Sequence, residues 1–431
     1  MSEAVFQFTT LDGLRVGMYV ELELGWMSHP FPKGSFKITT DKQIEIIRGL
    51  GLKRVRWVPA KSDSADAPVA AQQTSPVVSQ DDGPTALVGD QPAQTLKQQH
   101  LNKLAAQQRS LLVCEKRFGD AIQVYKKTVD QAATNSGAAM AHSLALVNGL
   151  VGDMMGDGES AIRLLSEGIG DRASMHPVNV TVISLLLGKA SGLNEAELVD
   201  LGLATFLHDV GKTRLPDRVR WLQENFSPAE YKAYQEHVVL GVQLGRELGL
   251  SAPVLQAIEQ HHEMMDASGF PARLKGDQIS HAAKILALVN RYENLCNPSR
   301  PASALTPHEA LALIFAQLKS KFDPLVLGAF TRMMGVYPPG SVVQLVDDRY
   351  ALVVSVNSAR PLKPRVVVHE PGVPKDETLI LDLENVPSAG IRRSLKPSSL
   401  PKVSMDYLSP RQRICYFFER ALDADLHGAA S

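Results

Sequence analysis

The sequence predicts a multidomain protein with an all-α helical bundle as its main body, a small α+β module ahead of it and a small β-rich appendage behind it. Three observations predict this. A chain of 431 residues exceeds what one hydrophobic core usually organises. From Ala139 to Phe330 nearly every segment carries the apolar period of an amphipathic helix. After Tyr337-Pro338-Pro339-Gly340 the texture changes to short β-branched runs split by Asp, Asn, Pro and Gly.

In order along the chain, residues 1–61 alternate β-rich runs (Met18-Tyr19-Val20, Phe36-Lys37-Ile38, Val55-Arg56-Trp57-Val58) with Gly turns and one helical stretch, Asp41 to Leu50. Residues 62–95 are Ala, Gln, Ser, Asp, Pro and Gly with almost no aromatic residue, a composition that predicts a flexible linker. Residues 96–138 form a long helical connector. There Leu104, Leu111, Phe118 and Tyr125 recur every seven residues, with Ile122 and Val129 on a neighbouring row. Such a stripe packs either on its own domain or, through the 100–130 helix, along the seam of a homodimer.

The helical domain spans 139–335. Ser227-Pro228-Ala229-Glu230 and Thr306-Pro307-His308-Glu309 each combine an N-cap hydroxyl, proline at the first helical position and a glutamate placed to close a capping box. In the appendage, 336–431, strands are expected at Val342–Val346, Leu352–Val356, Arg365–His369 and Thr378–Leu383. Ser409-Pro410 is expected to cap a last short helix containing Ile414 to Phe418.

Composition narrows the class of function. With 44% hydrophobic and 21% charged residues and a formal net charge of −1, nothing draws the whole chain to a nucleic-acid polymer or an anionic membrane, so any anion site is local. The start MSEAVFQFTT lacks the regions of a secretory signal, and no run reaches the roughly 20 apolar residues of a membrane span. A cytoplasmic protein is expected. Cys114, Cys296 and Cys415 are too far apart for a metal knuckle and read as reduced thiols.

Five of the twelve histidines, His176, His208, His237, His261 and His262, fall in one stretch of the helical region. His208-Asp209 follows the apolar run Leu201–Leu207, and His261-His262-Glu263 ends the helical segment Pro253–Gln260. Neutral imidazole suits divalent first-row metals, and an adjacent carboxylate can bridge two of them. Neighbouring helical residues point about 100° apart, so such pairs can serve two ions. A binuclear site of this kind lowers the pKa of a bridging water and holds phosphoryl oxygens for in-line attack.

Two motifs make the pattern specific. His208-Asp209-Val210-Gly211-Lys212 is similar to the HD-x-G-K core of the HD superfamily, and the run His261-His262-Glu263-Met264-Met265-Asp266-Ala267-Ser268-Gly269-Phe270-Pro271 resembles the HHE-x-x-D-G-S-G-Y-P signature of HD-GYP domains. The N-terminal block, with Gly17-Met18, Trp26 and His29-Pro30-Phe31, resembles a domain of unknown function often found ahead of bacterial HD-GYP domains.

The resemblance implies an HD-type bundle and a metal-dependent phosphodiesterase that hydrolyses cyclic di-GMP to pGpG, GMP or both. It implies as metal ligands His176, His208, Asp209, His237, His261 and His262, with Asp209 bridging two divalent transition-metal ions, iron or manganese. Asp209 and Lys212 are the expected catalytic pair, and Lys212, Arg273 and Arg300 the expected substrate-binding cations. Where the family pattern A-x-I-x-A-x-x-D ends in aspartate, this chain reads Ala283 to Asn290, so the seventh ligand is an asparagine. An amide oxygen coordinates without the charge that attracts a divalent cation. The alternative reading is therefore a catalytically weak domain that binds nucleotide or a protein partner, with the Gly269-Phe270-Pro271 loop as a candidate partner surface. Hydrolysis of another phosphoester is a third.

Ala267 and Phe270 replace the family Gly and Tyr. Ala267 is costly only if the loop needs positive φ there, and Phe270 keeps the ring while losing a hydroxyl. Glu263 is expected either to orient a ligand imidazole or to cap a surface helix. Arg214, Arg218, Arg220, Lys275 and Arg291 join the three substrate cations as members of a local anion trap.

Overall fold

The computed structural model describes residues 7–22, 35–48, 50, 52, 54–62, 91–156, 160–166, 171–223, 225–357, 362–386 and 389–420. Trp26, His29-Pro30-Phe31, most of the 62–95 stretch and His427 lie outside the described residues. The chain divides into two compact units, residues 1–95 and 96–431.

The first unit contains β1 (Gln7–Thr9), β2 (Tyr19–Glu21), β3 (Ser35–Lys37), α1 (Asp41–Arg48) and β4 (Val55–Trp57). The strands form an antiparallel sheet in the order β1-β4-β2-β3. Leu14, Met18, Val20, Ile38, Ile44, Ile47 and Val55 fill the core. Gln43 reaches back to the Thr40 backbone N–H, half of a capping box that starts α1. Gly17 holds φ +92°, a turn conformation that only glycine enters cheaply, and its N–H donates to Ile38 O.

The helices α2 (Gln91–Gln131) and α3 (Ser136–Met155) precede a strand, β5 (Ser160–Leu164). Then follow α4 (Arg172–Ala190), α5 (Glu195–Leu207), α6 (Asp217–Arg220), α7 (Pro228–Glu247), α8 (Ala252–Gln260), α9 (His281–Cys296), α10 (Pro307–Gln317) and α11 (Pro324–Met334). The C-terminal part contributes β6 (Val342–Leu345), β7 (Tyr350–Asn357), β8 (Arg365–Val368), β9 (Leu381–Asp382), β10 (Ile391–Leu395), α12 (Lys402–Leu408) and β11 (Tyr416–Arg420).

Every residue of α4 from Ser174 to Gly188 is buried, so its sequence shows no amphipathic face; it is the central helix. The expected capping boxes at Ser227/Glu230 and Thr306/Glu309 both form, and a third closes at Asn194/Glu197. In α2, Phe118, Ala121, Ile122 and Tyr125 are buried in the unit's own core, with the Tyr125 ring edge-on to Phe206 at 5.3 Å. That half of the stripe is spent on intramolecular packing.

Two expectations are corrected. The stretch from Ala139 to Phe330 is not wholly helical, because Ser160–Leu164 is a strand, paired antiparallel with β7 and with β11. Ile414–Phe418 is not a helix but runs into β11, and Ser409 is not an N-cap: it ends α12 at φ +42°. Both runs are about five residues long, a length at which periodicity does not separate strand from helix. Their partners lie some 250 residues away, beyond any local signal. Together β5 to β11 make one antiparallel sheet whose main path is β10-β6-β7-β5-β11. Cys114, Cys296 and Cys415 are free and buried, as expected.

Candidate metal centre and its cavity

The last carbonyls of a helix have no intrahelical donor, and two of the expected ligands exploit this. His208 caps α5 and bonds the Thr205 carbonyl through Nδ1 at 2.7 Å; His261 caps α8 and bonds the Ile258 carbonyl at 2.6 Å. His237, within α7, does the same with the Tyr234 carbonyl at 2.5 Å. Each bond places the ring proton on Nδ1 and leaves the Nε2 lone pair free. His176 reaches the same state through a side chain, its Nδ1 bonded to the Glu293 carboxylate.

Burial, helped by neighbouring imidazoles and Lys212, keeps His208, His237, His261 and His262 neutral. It pushes His208 down to about 4 and His237 and His261 to about 3, and holds His262 well below its ordinary value. Burial alone would raise Asp209, but Lys212 and the histidines outweigh it and hold the carboxyl well below the usual range. These four imidazoles and the Asp209 carboxylate are thus deprotonated donors at neutral pH.

Two groups of donors converge: His176, His208 and Asp209 form one, and His237, His261 and His262 the other. Asp209 lies between them. Its Oδ2 is 3.4 Å from His208 Nε2 and 3.6 Å from His176 Nε2, and its Oδ1 is 3.8 Å from His237 Nε2 and 3.9 Å from His261 Nε2. Lys212 Nζ bonds Oδ2 at 2.5 Å, whereas Oδ1 is buried without a hydrogen-bond partner among the described residues. An orphaned buried carboxylate oxygen is costly.

The imidazoles pose the same problem, because Nε2 atoms with lone pairs face one another at 3.2 Å (His176/His208), 3.2 Å (His237/His262) and 3.4 Å (His237/His261). Metal–nitrogen bonds of about 2.0–2.1 Å at octahedral or tetrahedral angles separate ligands by about 2.9–3.4 Å. The residues present therefore fit divalent cations on both sides of Asp209.

The backbone explains why these groups meet. Asp209 sits in the bridge region at φ −100°, ψ 6°, where the chain leaves α5 for the turn Val210–Arg214. Gly211 lies so close to the His237 carbonyl and the Gly241 nitrogen that a Cβ there would collide with both, which lets this turn rest directly on α7. Gly269 likewise packs against the backbone of His262, Glu263 and Met264, folding the loop back onto the histidine pair.

Glu263 has neither expected role. It is buried, and its carboxylate accepts the Ala272 and Leu274 N–H groups at 2.6 and 2.8 Å, anchoring the loop from inside. Ala267 does adopt positive φ, +63°, a conformation that costs a residue with Cβ about 1–2 kcal/mol. Phe270 stacks on His262 with ring centroids 4.5 Å apart, while Pro271 is exposed.

Asn290 is buried and lines the cavity beside His261 and His262, and its Oδ1 accepts from Asn294 Nδ2 at 2.6 Å. The cavity, about 720 Å³, is of ligand size. Lys212, Arg291 and Arg300 line it among the expected cations, and the aromatic rings of Trp221, Tyr231, Tyr234 and Phe270 form its walls. Arg273 and Lys275 are exposed outside that lining; Arg214, Arg218 and Arg220 are ion-paired with Glu247, Glu230 and Asp217.

Two residues at the site had no motif to mark them. Glu293, one turn beyond Asn290 on α9, holds His176; helix spacing was the available signal. Arg172, one turn ahead of His176 on α4, reaches the cavity.

Two regions of the chain match known protein families. The model of the HD domain matches residues 161–326, and that of a domain of unknown function, DUF3391, matches residues 9–142. A cyclic di-GMP phosphodiesterase of Pseudomonas aeruginosa is 26% identical over 361 residues, 82% of this chain and 83% of its own length. A 3′3′-cGAMP-specific phosphodiesterase of Vibrio cholerae is 26% identical over 164 residues, 38% of this chain and 35% of the relative. A solved HDG"Y"P protein of Bdellovibrio bacteriovorus aligns with a TM-score of 0.40 at 12% identity, over 76% of this chain and 98% of that one, a likeness too distant to carry an argument. The HD motif and both domain matches agree: the chain carries an HD domain with a loop similar to that of HD-GYP domains, and a DUF3391 domain ahead of it.

Proposed function

We propose that the domain hydrolyses cyclic di-GMP to pGpG, GMP or both, with two divalent transition-metal ions, iron or manganese, held by His176, His208, Asp209, His237, His261 and His262. The observation that carries this reading is Asp209: a buried carboxylate with one oxygen turned to each histidine group and one of those oxygens unsatisfied by protein. Bound divalent ions supply Lewis acidity and a water acidified to near neutral pH.

The remaining roles belong to the chain. The Nδ1 bonds fix the ring orientations before any ligand arrives. Lys212, whose charge Asp209 secures against burial, lines the cavity beside the metal donors and neutralises a phosphate oxygen. Trp221, Tyr231 and Tyr234 offer faces to the bases. The relatives named for cyclic di-GMP support the substrate class, and the relative named for 3′3′-cGAMP makes that dinucleotide the control.

Purified full-length protein supplied with Mn²⁺ or Fe²⁺ should release pGpG or GMP from cyclic di-GMP. The His208→Ala/Asp209→Ala variant should release neither. Turnover surviving in that variant overturns the mechanism. One observation favours the second reading, a nucleotide-binding module of low activity: Asn290 is neutral and its amide oxygen is already engaged by Asn294. Protein holding well under one metal ion per chain after loading would decide for it.

A further inference from the structure

We propose that Arg172 binds a phosphate of the substrate, a role that rests on the phosphodiesterase reading of the cavity. Arg172 opens α4 four residues before the ligand His176, so the two side chains lie on one face, a turn apart. Its side chain lines the same cavity as Lys212, His262 and Asn290.

The guanidinium is held from behind. Nε donates to the Asn297 carbonyl at 2.9 Å and Nη2 to Asn294 Oδ1 at 3.0 Å. Asn294 is itself fixed, its Nδ2 donating to Asn290 O and Oδ1. A guanidinium has five N–H donors, so three remain, and among the described residues none of them meets a protein acceptor. Nor does Arg172 form an ion pair with any described carboxylate. Glu293, whose pKa it helps to lower, is engaged by His176, Asn179 and Asn297. A half-buried cation with a pre-oriented, unused fork is the arrangement that takes a phosphate through two parallel bonds.

The surroundings favour an anion from outside. Arg172 and Lys212 each lie 5.5 Å from the centre of the Trp221 ring, so two cations flank one aromatic platform. Lys212 is tied to Asp209, while Arg172 forms no ion pair among the described residues. A substrate with two phosphodiesters needs a cation for the phosphate that is not at the metal donors. The neutral Asn290 belongs to the same arrangement: through Asn294 it supports Arg172 without adding a negative charge that would compete with phosphate.

The test uses metal-loaded full-length protein, wild type against Arg172→Gln and Arg172→Lys, titrated with cyclic di-GMP and separately with GMP. Arg172→Gln should weaken both ligands about 10- to 100-fold, the scale of hydrogen bonds to a charged group. KM should rise with kcat kept, and binding should become less sensitive to salt, while metal content stays at the wild-type value. Arg172→Lys should recover part of the loss. Wild-type affinity in Arg172→Gln overturns the inference. If Arg172→Gln loses metal or fold, Arg172→Lys decides: weakened ligand binding at full metal content supports the role, and unchanged binding overturns it. Wild type that binds GMP but not cyclic di-GMP overturns the substrate reading alone, the Arg172 comparison then being made on GMP; binding of neither overturns both.

Discussion

Glu293→Gln isolates what the carboxylate behind His176 contributes. One oxygen of Glu293 takes His176 Nδ1; the other accepts from Asn297 Nδ2 at 2.8 Å and Asn179 Nδ2 at 3.4 Å. A glutamine has one oxygen for these two duties. If that oxygen serves the asparagines, the amide NH₂ faces Nδ1, which must then accept; the ring proton moves to Nε2 and removes His176 as a metal donor. If the oxygen serves His176, the NH₂ faces two other amide donors in a site 2% exposed to solvent. Either way one hydrogen bond involving a charged group is lost, about 1.5–3 kcal/mol. The first arrangement places that loss in metal affinity, about 10- to 100-fold, the range for a residue behind a ligand imidazole. The second places it in stability. Metal content after dialysis against a graded chelator measures one, and the urea midpoint of the apo protein measures the other. A variant equal to wild type in both refutes the role assigned to Glu293.

Asn290→Asp, one turn away, should raise metal retention against the same chelator about tenfold if a metal reaches that position; no gain places Asn290 outside the coordination sphere. Gly211→Ala forces a Cβ into the His237 carbonyl and Gly241 nitrogen, and should cost about 3 kcal/mol or more in urea melts and lose metal with it, whereas Gly137→Ala, where a Cβ meets nothing, should be near neutral. Asp171 N-caps α4 through Ser174 N and pairs with Lys126. Burial would raise its pKa, but those bonds lower it from 3.8 to about 2, so its stabilisation is complete above pH 3.8 and is lost as pH falls towards 2. With its side chain about half exposed, the ion pair adds little. Asp171→Ala should cost about 1 kcal/mol at pH 7, and the gap to wild type should close near pH 2; a gap that persists there assigns the effect to packing.

What the sequence made legible was whatever depended on short spacing. His208-Asp209 and His261-His262 announced themselves because each pair ends a helix, and the structure puts both at those ends. The capping boxes at Ser227 and Thr306 are equally local. Glu293 was invisible because its meaning depends on His176, 117 residues away. Arg273 drew attention by proximity in sequence to the loop, yet its backbone takes φ +56° and its side chain is exposed outside the cavity lining. Charge alone said nothing about direction. Strands β5 and β11 failed for the same reason as Glu293, since each is defined by a partner far along the chain.

The misread C-terminal segment is linked to His176 through two buried asparagines. The Ile414 carbonyl accepts from both Asn179 and Asn297 at 2.8 Å, and Ile414 N and Tyr416 N donate back to Asn297 and Asn179 at 2.8 and 2.9 Å. Those two asparagines spend their other donors on Glu293, which holds His176. One chain of buried bonds therefore runs from the approach to β11, through a pair of amides and Glu293, to the imidazole of His176. Each amide is satisfied only while the Ile414–Tyr416 backbone is in place, because buried donors left without acceptors cost about 1–3 kcal/mol apiece. It follows that the Ile414–Tyr416 segment, far beyond the helices, is part of what orients His176.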